Sequence, residues 1–170
     1  MTVIAARKYA DRIEFAADSI VTRGSTQITD RSIDSPKLFQ QNGLTIGLTG
    51  ALAEGSLMQI FTRNHKPVSA SLEGVIDFMF EFEGWVRHRD TGFTIANAYL
   101  IGFEGKLFRT YARFDVFEIS EFEAIGAGQD FAITAMHLEK SPTEAVSIAC
   151  TLSVWCSLPV TTIVLNVSSV

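Results

Sequence analysis

The sequence predicts an α+β chain folded as a four-layer αββα sandwich, two packed sheets with a helix pair on each outer side. Three observations carry this. Segments of β character and of helical period follow one another in the order strands, two helices, strands, two helices, strand. The strand pairs in the middle of the chain meet at Asn42-Gly43 and Glu104-Gly105, the first a pair that readily adopts φ > 0. With 170 residues, 47% of them hydrophobic, the chain can bury one substantial core. The expectation is one domain over residues 1–170.

The opening runs TVIAARK and RIEFAAD mix alternation with β-branched and aromatic residues, and a turn over Tyr9 to Asp11 makes them a hairpin. From Ser19 to Pro36 the composition shifts to Ser, Thr, Asp and Gly, which reads as an exposed loop. KLFQQ and LTIGLTG form the next hairpin. After Gly50 the period changes to that of a helix, first through Leu52, Ser56, Gln59 and Ile60, then through Leu72, Val75, Ile76, Met79, Phe80 and Val86. Pro67 separates the two helices and Ser71 is suited to cap the second. IANAYLIGF and KLFRTYARF pair next, followed by VFEIS and FEAIG. Two further helices are expected over Gln129 to Glu139 and Pro142 to Trp155, the latter opened by Ser141 as N-cap with Pro142 at its first position. PVTTIVLNV closes the chain as a strand.

Composition narrows the functions. The formal net charge is -5 and the basic residues are scattered, so nothing in the sequence would track a phosphate backbone, and no nucleic acid partner is expected. No apolar run reaches the length of a membrane span, and the opening residues lack the pattern of a signal peptide. A cytoplasmic protein without a membrane partner is expected. Cys150 and Cys156, six apart in a presumed helix, read as buried thiols rather than a disulfide. His65, His88 and His137 share no ligand spacing with one another, so neither a metal nor another cofactor is expected. Phe78, Phe80, Phe82 and Trp85 spread over more than one helix face, which fits either contact with another subunit or a helix buried on most sides.

The candidate chemistry sits at the beginning of the chain. Thr is small enough to permit removal of the preceding Met, and Thr2 would then carry a hydroxyl nucleophile beside an α-amine whose unperturbed pKa is about 7.7–8.0, near enough to neutrality to act as base. A lysine ammonium would favour the alkoxide and depress the amine's pKa, and a carboxylate would hold that lysine charged. Asp18 and Lys37 suit these roles, because Thr2 begins the first strand, Asp18 ends its partner and Lys37 begins the next. Neighbouring positions in one sheet would bring those ends together.

Thr2-Val3-Ile4-Ala5, Ala16-Ala17-Asp18-Ser19, Lys37-Leu38-Phe39, Ile46-Gly47-Leu48-Thr49-Gly50-Ala51 and Ala124-Ile125-Gly126-Ala127-Gly128 occur in an order and spacing that resemble proteasome β-subunits and the bacterial HslV peptidase, of the N-terminal-nucleophile hydrolase superfamily. The resemblance implies a threonine peptidase acting through an acyl-enzyme on Thr2, with Asp18 and Lys37 as electrostatic support and the Gly50 amide as oxyanion donor. It also implies Leu48 and Leu52 as walls of an apolar substrate pocket, stacked homo-oligomeric rings, a peptide or unfolded-protein substrate and an ATP-driven unfoldase as partner. Two positions depart from the pattern: Ala127 stands where a Ser hydroxyl is usual, and Thr151 where an Asp is. These departures favour a catalytically silent homologue with a structural ring or shell role as the alternative; a third reading is an amidase of another N-terminal-nucleophile group acting on a small amide.

Overall fold

Strands β1 (Val3–Lys8) and β2 (Arg12–Asp18) form the expected N-terminal hairpin, pairing antiparallel with Ala5 opposite Ala16. The computed structural model describes residues 2–23, 26–28 and 37–167. Within the segment read as a loop, two short strands, β3 (Val21–Arg23) and β4 (Thr26–Ile28), pair with each other. Both contain Thr and β-branched Val or Ile, a β preference that the polar composition of the surroundings obscured. The rest of that expected loop, residues 24, 25 and 29–36, lies outside the described residues.

The second hairpin joins β5 (Leu38–Gln41) and β6 (Leu44–Thr49) through Asn42 and Gly43, both at positive φ, as a two-residue hairpin turn of this hand requires. Helices α1 (Leu52–Phe61) and α2 (Leu72–Arg87) follow, and the Ser71 hydroxyl accepts the Gly74 amide at 3.1 Å to cap α2. Strands β7 (Ala98–Phe103), β8 (Lys106–Tyr111), β9 (Asp115–Ile119) and β10 (Phe122–Gly126) come next, then α3 (Gln129–His137), α4 (Pro142–Leu152) and β11 (Val160–Asn166). A capping box between Ser141 and Glu144 starts α4, with Pro142 at its first position.

Two antiparallel sheets form the middle of the sandwich, one ordered β10-β1-β2-β11 and the other β5-β6-β7-β8-β9. The core therefore has three layers. Ile4, Ala6, Ile13, Phe15, Leu100 and Leu107 pack between the sheets. Helices α1 and α2 cover the five-stranded sheet, with Phe61, Phe78, Met79 and Phe82 against Ile46, Tyr99 and Ile101. Helices α3 and α4 cover the four-stranded sheet through a carpet of small residues, Ala5, Ala16 and Ala124 meeting Ala132, Ala135, Ala145 and Ala149. Val3 to Ala6 are all fully buried because β1 has a core on each face. Buried strands of this kind read as near-continuous apolar runs.

Several boundaries differ from the sequence expectation, each for a local reason. Helix α4 stops at Leu152 rather than Trp155, where the Ser153 hydroxyl accepts the Trp155 amide and offers the backbone an alternative to the helix. The chain crosses the end of the four-stranded sheet there, and Cys156 lies beyond the helix. Helix α3 ends before Glu139, which sits at positive φ. Strand β7 begins at Ala98 and not at Ile95, because the amides of Ile95, Ala96 and Asn97 are taken by the carboxylates of Glu83 and Glu54 instead of a neighbouring strand. Strand β8 ends at Tyr111 in a short 3-10 turn, and the ring of Phe114 stacks on Phe80 at 3.8 Å. The aromatic cluster of α2 thus divides: Phe78 and Phe82 are core, Trp85 packs against it, and Phe80 is 55% exposed.

Candidate active site

Asp18 organises one end of the four-stranded sheet. Its carboxylate is fully buried and accepts four hydrogen bonds: Lys37 Nζ and the Val3 amide on Oδ1, each at 2.9 Å, and the amides of Ile20 and Ser157 on Oδ2, each at 3.2 Å. Those donors come from four separate segments, so one carboxylate ties together the start of β1, the turn after β2, the crossing after α4 and the start of β5. Hydrogen bonds to an ionised group are about twice as strong as neutral ones, which makes this the best-anchored polar point of the sheet end.

Lys37 reaches Asp18 by a different route from the one the sequence suggested. Its strand is not a neighbour of β2 in one sheet: β5 is the edge strand of the facing sheet, and Lys37 bridges the sandwich. Strand β5 packs against β2 and β11 across the interface, which brings its first residue over Asp18. The Leu48 amide donates to the Lys37 carbonyl at 2.8 Å and fixes its backbone. With its side chain only 8% exposed, Lys37 has a pKa drawn below the ordinary lysine value of 10.5 by burial, which the Asp18 carboxylate opposes. The folded chain therefore releases this proton at lower pH than the unfolded chain does. Taken alone, that makes stability rise with pH as the ordinary lysine value is approached.

Thr2 is buried at the beginning of β1. Its carbonyl accepts the Gly128 amide at 3.2 Å, while the following amide, that of Val3, is the one held by Asp18. The turn into α3 presses closely on this segment. A Cβ at Gly126, where φ is +99°, would lie 2.3 Å from the Thr2 carbonyl oxygen, and one at Gly128 would meet Cys156 Sγ at 2.6 Å. Only glycine fits either place.

Thr2, Lys37, Leu48, Gly50 and Leu52 border one open cleft, completed by Thr49, Ile20 and Val21. Every candidate residue except Asp18 lines it, and Asp18 is bonded to Lys37 in its wall. Gly50 connects β6 to α1 with φ at +134°, and a Cβ there would lie 2.0 Å from Asn97 Oδ1. Gly50→Ala is accordingly expected to destabilise the protein by at least about 1–3 kcal/mol from backbone strain alone, measurable by denaturant unfolding.

Sequence reasoning missed Ser157, Asn97 and Glu54. Ser157 was hidden because the segment before it was read as helix. Asn97 left a signal, a lone amide side chain inside the apolar run IANAYLIGF. The departures noted earlier stand outside this grouping: Ala127 is exposed in the turn before α3, and the exposed Thr151 bonds its own helix through the Ile148 carbonyl at 2.7 Å. Both cysteines are free, Cys156 buried and Cys150 half-buried. Burial pushes the Cys150 thiol up to about 12, so it is inert as a nucleophile near neutrality. Among the described residues no three His, Cys, Asp or Glu side chains are grouped as a metal would need.

The layers and the sheet order define a four-layer αββα sandwich. Solved structures of that architecture superpose over almost the whole chain. BPH of Thiobacillus denitrificans in complex with epoxomicin gives a TM-score of 0.86 at 18% identity, covering 98% of this chain and 100% of that one. HslV from Trypanosoma brucei gives 0.73 at 17% identity, covering 96% and 99%. Anbu, the ancestral β-subunit, from Yersinia bercovieri gives 0.70 at 18% identity, covering 95% and 80%. At these identities the likeness defines the fold. No family model and no curated protein matches the sequence.

Proposed function

We propose that the chain is a threonine-type peptidase that cleaves peptide bonds through an acyl-enzyme on Thr2 once Met1 has been removed. The single observation that supports this most is the buried Asp18–Lys37 ion pair in the wall of the cleft bordered by Thr2 and Gly50. Burying two charges is costly, and hydrophobic replacements are often more stable, so a pair kept at the edge of a cleft is better explained by chemistry than by stability.

In this reading the Thr2 α-amine takes the hydroxyl proton as Oγ1 attacks the scissile carbonyl. The Lys37 cation stabilises the developing oxygen charge, and Asp18 keeps that cation in place. The Gly50 amide donates to the oxyanion of the tetrahedral intermediate. Collapse breaks the C–N bond, and the amine passes its proton to the departing peptide nitrogen. Water then attacks the Thr2 ester, losing a proton to the same amine; collapse breaks the bond between the acyl carbon and Oγ1, the amine returns the proton to Oγ1, and the second product leaves as a carboxylic acid. Leu48 and Leu52 give the cleft an apolar wall that favours apolar substrate side chains. No cofactor enters these steps. The proposal extends to a cytoplasmic homo-oligomer of stacked rings that takes peptides or unfolded chains, with an ATP-driven unfoldase as partner. Among the described residues no helix is long and apolar enough to cross a membrane.

Ala127 and Thr151 favour a second reading, in which the sandwich serves as a silent ring or shell component. Turnover of short fluorogenic peptides, recorded against pH, separates the two. A peptidase gives a bell-shaped profile: activity rises as the α-amine loses its proton and falls as Lys37 does, the alkaline limb lying below 10.5 because burial lowers that pKa. Epoxomicin, the compound bound in the BPH structure, is expected to raise the melting temperature of processed protein but not of Thr2→Ala. Absence of turnover in protein shown by intact mass to begin at Thr2 would leave the silent reading in possession. Cleavage confined to small non-peptide amides would point to the amidase group instead.

A further inference from the structure

Behind the cleft lies a second buried polar network that the mechanism above does not use. Glu54, in the first turn of α1, is 5% exposed, and its carboxylate accepts the Tyr99 hydroxyl at 2.7 Å, the Asn97 amide at 3.1 Å and the Ala96 amide at 3.0 Å. These are neutral donors, so the carboxylate's burial is met without the charge compensation that Asp18 receives from Lys37. Burial and the nearby carboxylate also raise the Tyr99 pKa well above its ordinary value, keeping that phenol a donor.

Asn97, itself 1% exposed, turns this anchor toward the cleft. Its Oδ1 accepts the Ala51 amide at 2.6 Å, and its Nδ2 donates to the Ala51 carbonyl at 3.0 Å. Both polar groups of one residue are thus gripped by one side chain. Ala51 is the N-cap of α1 and has no side-chain cap of its own, and Gly50 beside it could not accept a Cβ without striking Asn97.

We infer that Glu54, Asn97 and Tyr99 are positioning residues: Tyr99 holds Glu54, Glu54 holds the main-chain amide of Asn97, and the Asn97 side chain sets the orientation of the Gly50–Ala51 backbone at the rim of the cleft. The catalytic consequence rests on the peptidase reading, since it is there that the Gly50 amide must point at a developing oxyanion. A polar clamp is a costly way to join a strand to a helix, and its benefit is directional. An amide that wanders by a fraction of an ångström loses much of its value to a transition state.

Two measurements on the full-length protein test this, with Val146→Ala in the remote α3–α4 core as a control for lost stability. Hydrogen–deuterium exchange over residues 49–54 is expected to show the Ala51 amide protected in the wild type and markedly faster in Asn97→Ala, with Val146→Ala unaffected there. Peptide turnover by Asn97→Ala is expected to fall about 10–100-fold in kcat with KM nearly unchanged, somewhat less than removal of an oxyanion donor. Should Asn97→Ala fail to fold, Tyr99→Phe, which removes one donor from Glu54, is expected to lower kcat about 2–5-fold in the same pattern. Equal exchange at Ala51 in wild type and variant, or a kcat no lower than that of Val146→Ala, overturns the inference. Loss of Ala51 protection in Asn97→Ala, in a wild type that shows no Thr2-dependent turnover, supports the clamp and removes the peptidase reading instead.

Discussion

Thr2→Ala is expected to abolish peptide hydrolysis, lowering kcat/KM by roughly 10⁴–10⁶-fold, the scale on which acyl-transfer enzymes suffer when their nucleophile is removed. The size of the effect follows from how little remains. The cleft, the Lys37 cation and the Gly50 amide would still bind the substrate carbonyl, but no atom could form the ester. The fold should be kept, because the variant retains the backbone carbonyl that accepts the Gly128 amide and the chain leading to the Val3 amide held by Asp18. Thermal unfolding within a few degrees of wild type, together with lost turnover of fluorogenic peptides, is the expected pair of results. Thr2→Ser retains a hydroxyl and the α-amine, and should keep measurable activity.

Asp18→Ala is expected to have the largest effect on stability, about 3–5 kcal/mol, the range for breaking a buried ion pair by removing one partner. Four donors lose their acceptor at once: the Lys37 ammonium and the amides of Val3, Ile20 and Ser157. A buried donor left unpaired costs more than its hydrogen bond contributed, because water cannot replace the partner. For a chain of this size each kcal/mol moves the melting temperature by about 2–4 °C, so calorimetry should show a fall of order 10 °C. Lys37→Met removes the cation but adds an apolar stem in the same space. It should destabilise less than Asp18→Ala while still suppressing turnover, a contrast that separates the structural part of the ion pair from its chemical part.

The sandwich was legible because its signals are local. Helical period, the Ser71 and Ser141 caps and the Asn42-Gly43 turn each act over a few residues, and the structure places elements there. Sheet membership was not legible. Strands β8 and β9 stay in one sheet while β10, a few residues later, pairs with β1 in the other, and nothing in FEAIG announces that exchange. The same limit misplaced Lys37, set beside Asp18 in one sheet when it reaches Asp18 from the facing sheet. Residue types suited to an ion pair can be recognised from sequence, but which surface each approaches from depends on long-range packing. Asn97 and Glu54 were missed for a related reason. Their partners are main-chain groups, and an amide or carbonyl belongs to every residue, so sequence cannot say which ones a buried side chain will serve.

The most direct test is mass spectrometry of natively expressed protein quenched during turnover of a short peptide. An N-terminal fragment that begins at Thr2 and carries the acyl half of the substrate is expected, an adduct absent from Thr2→Ala. Peptide cleavage by protein that retains Met1, with no acyl mass on the N-terminal fragment, would contradict an acyl-enzyme on Thr2.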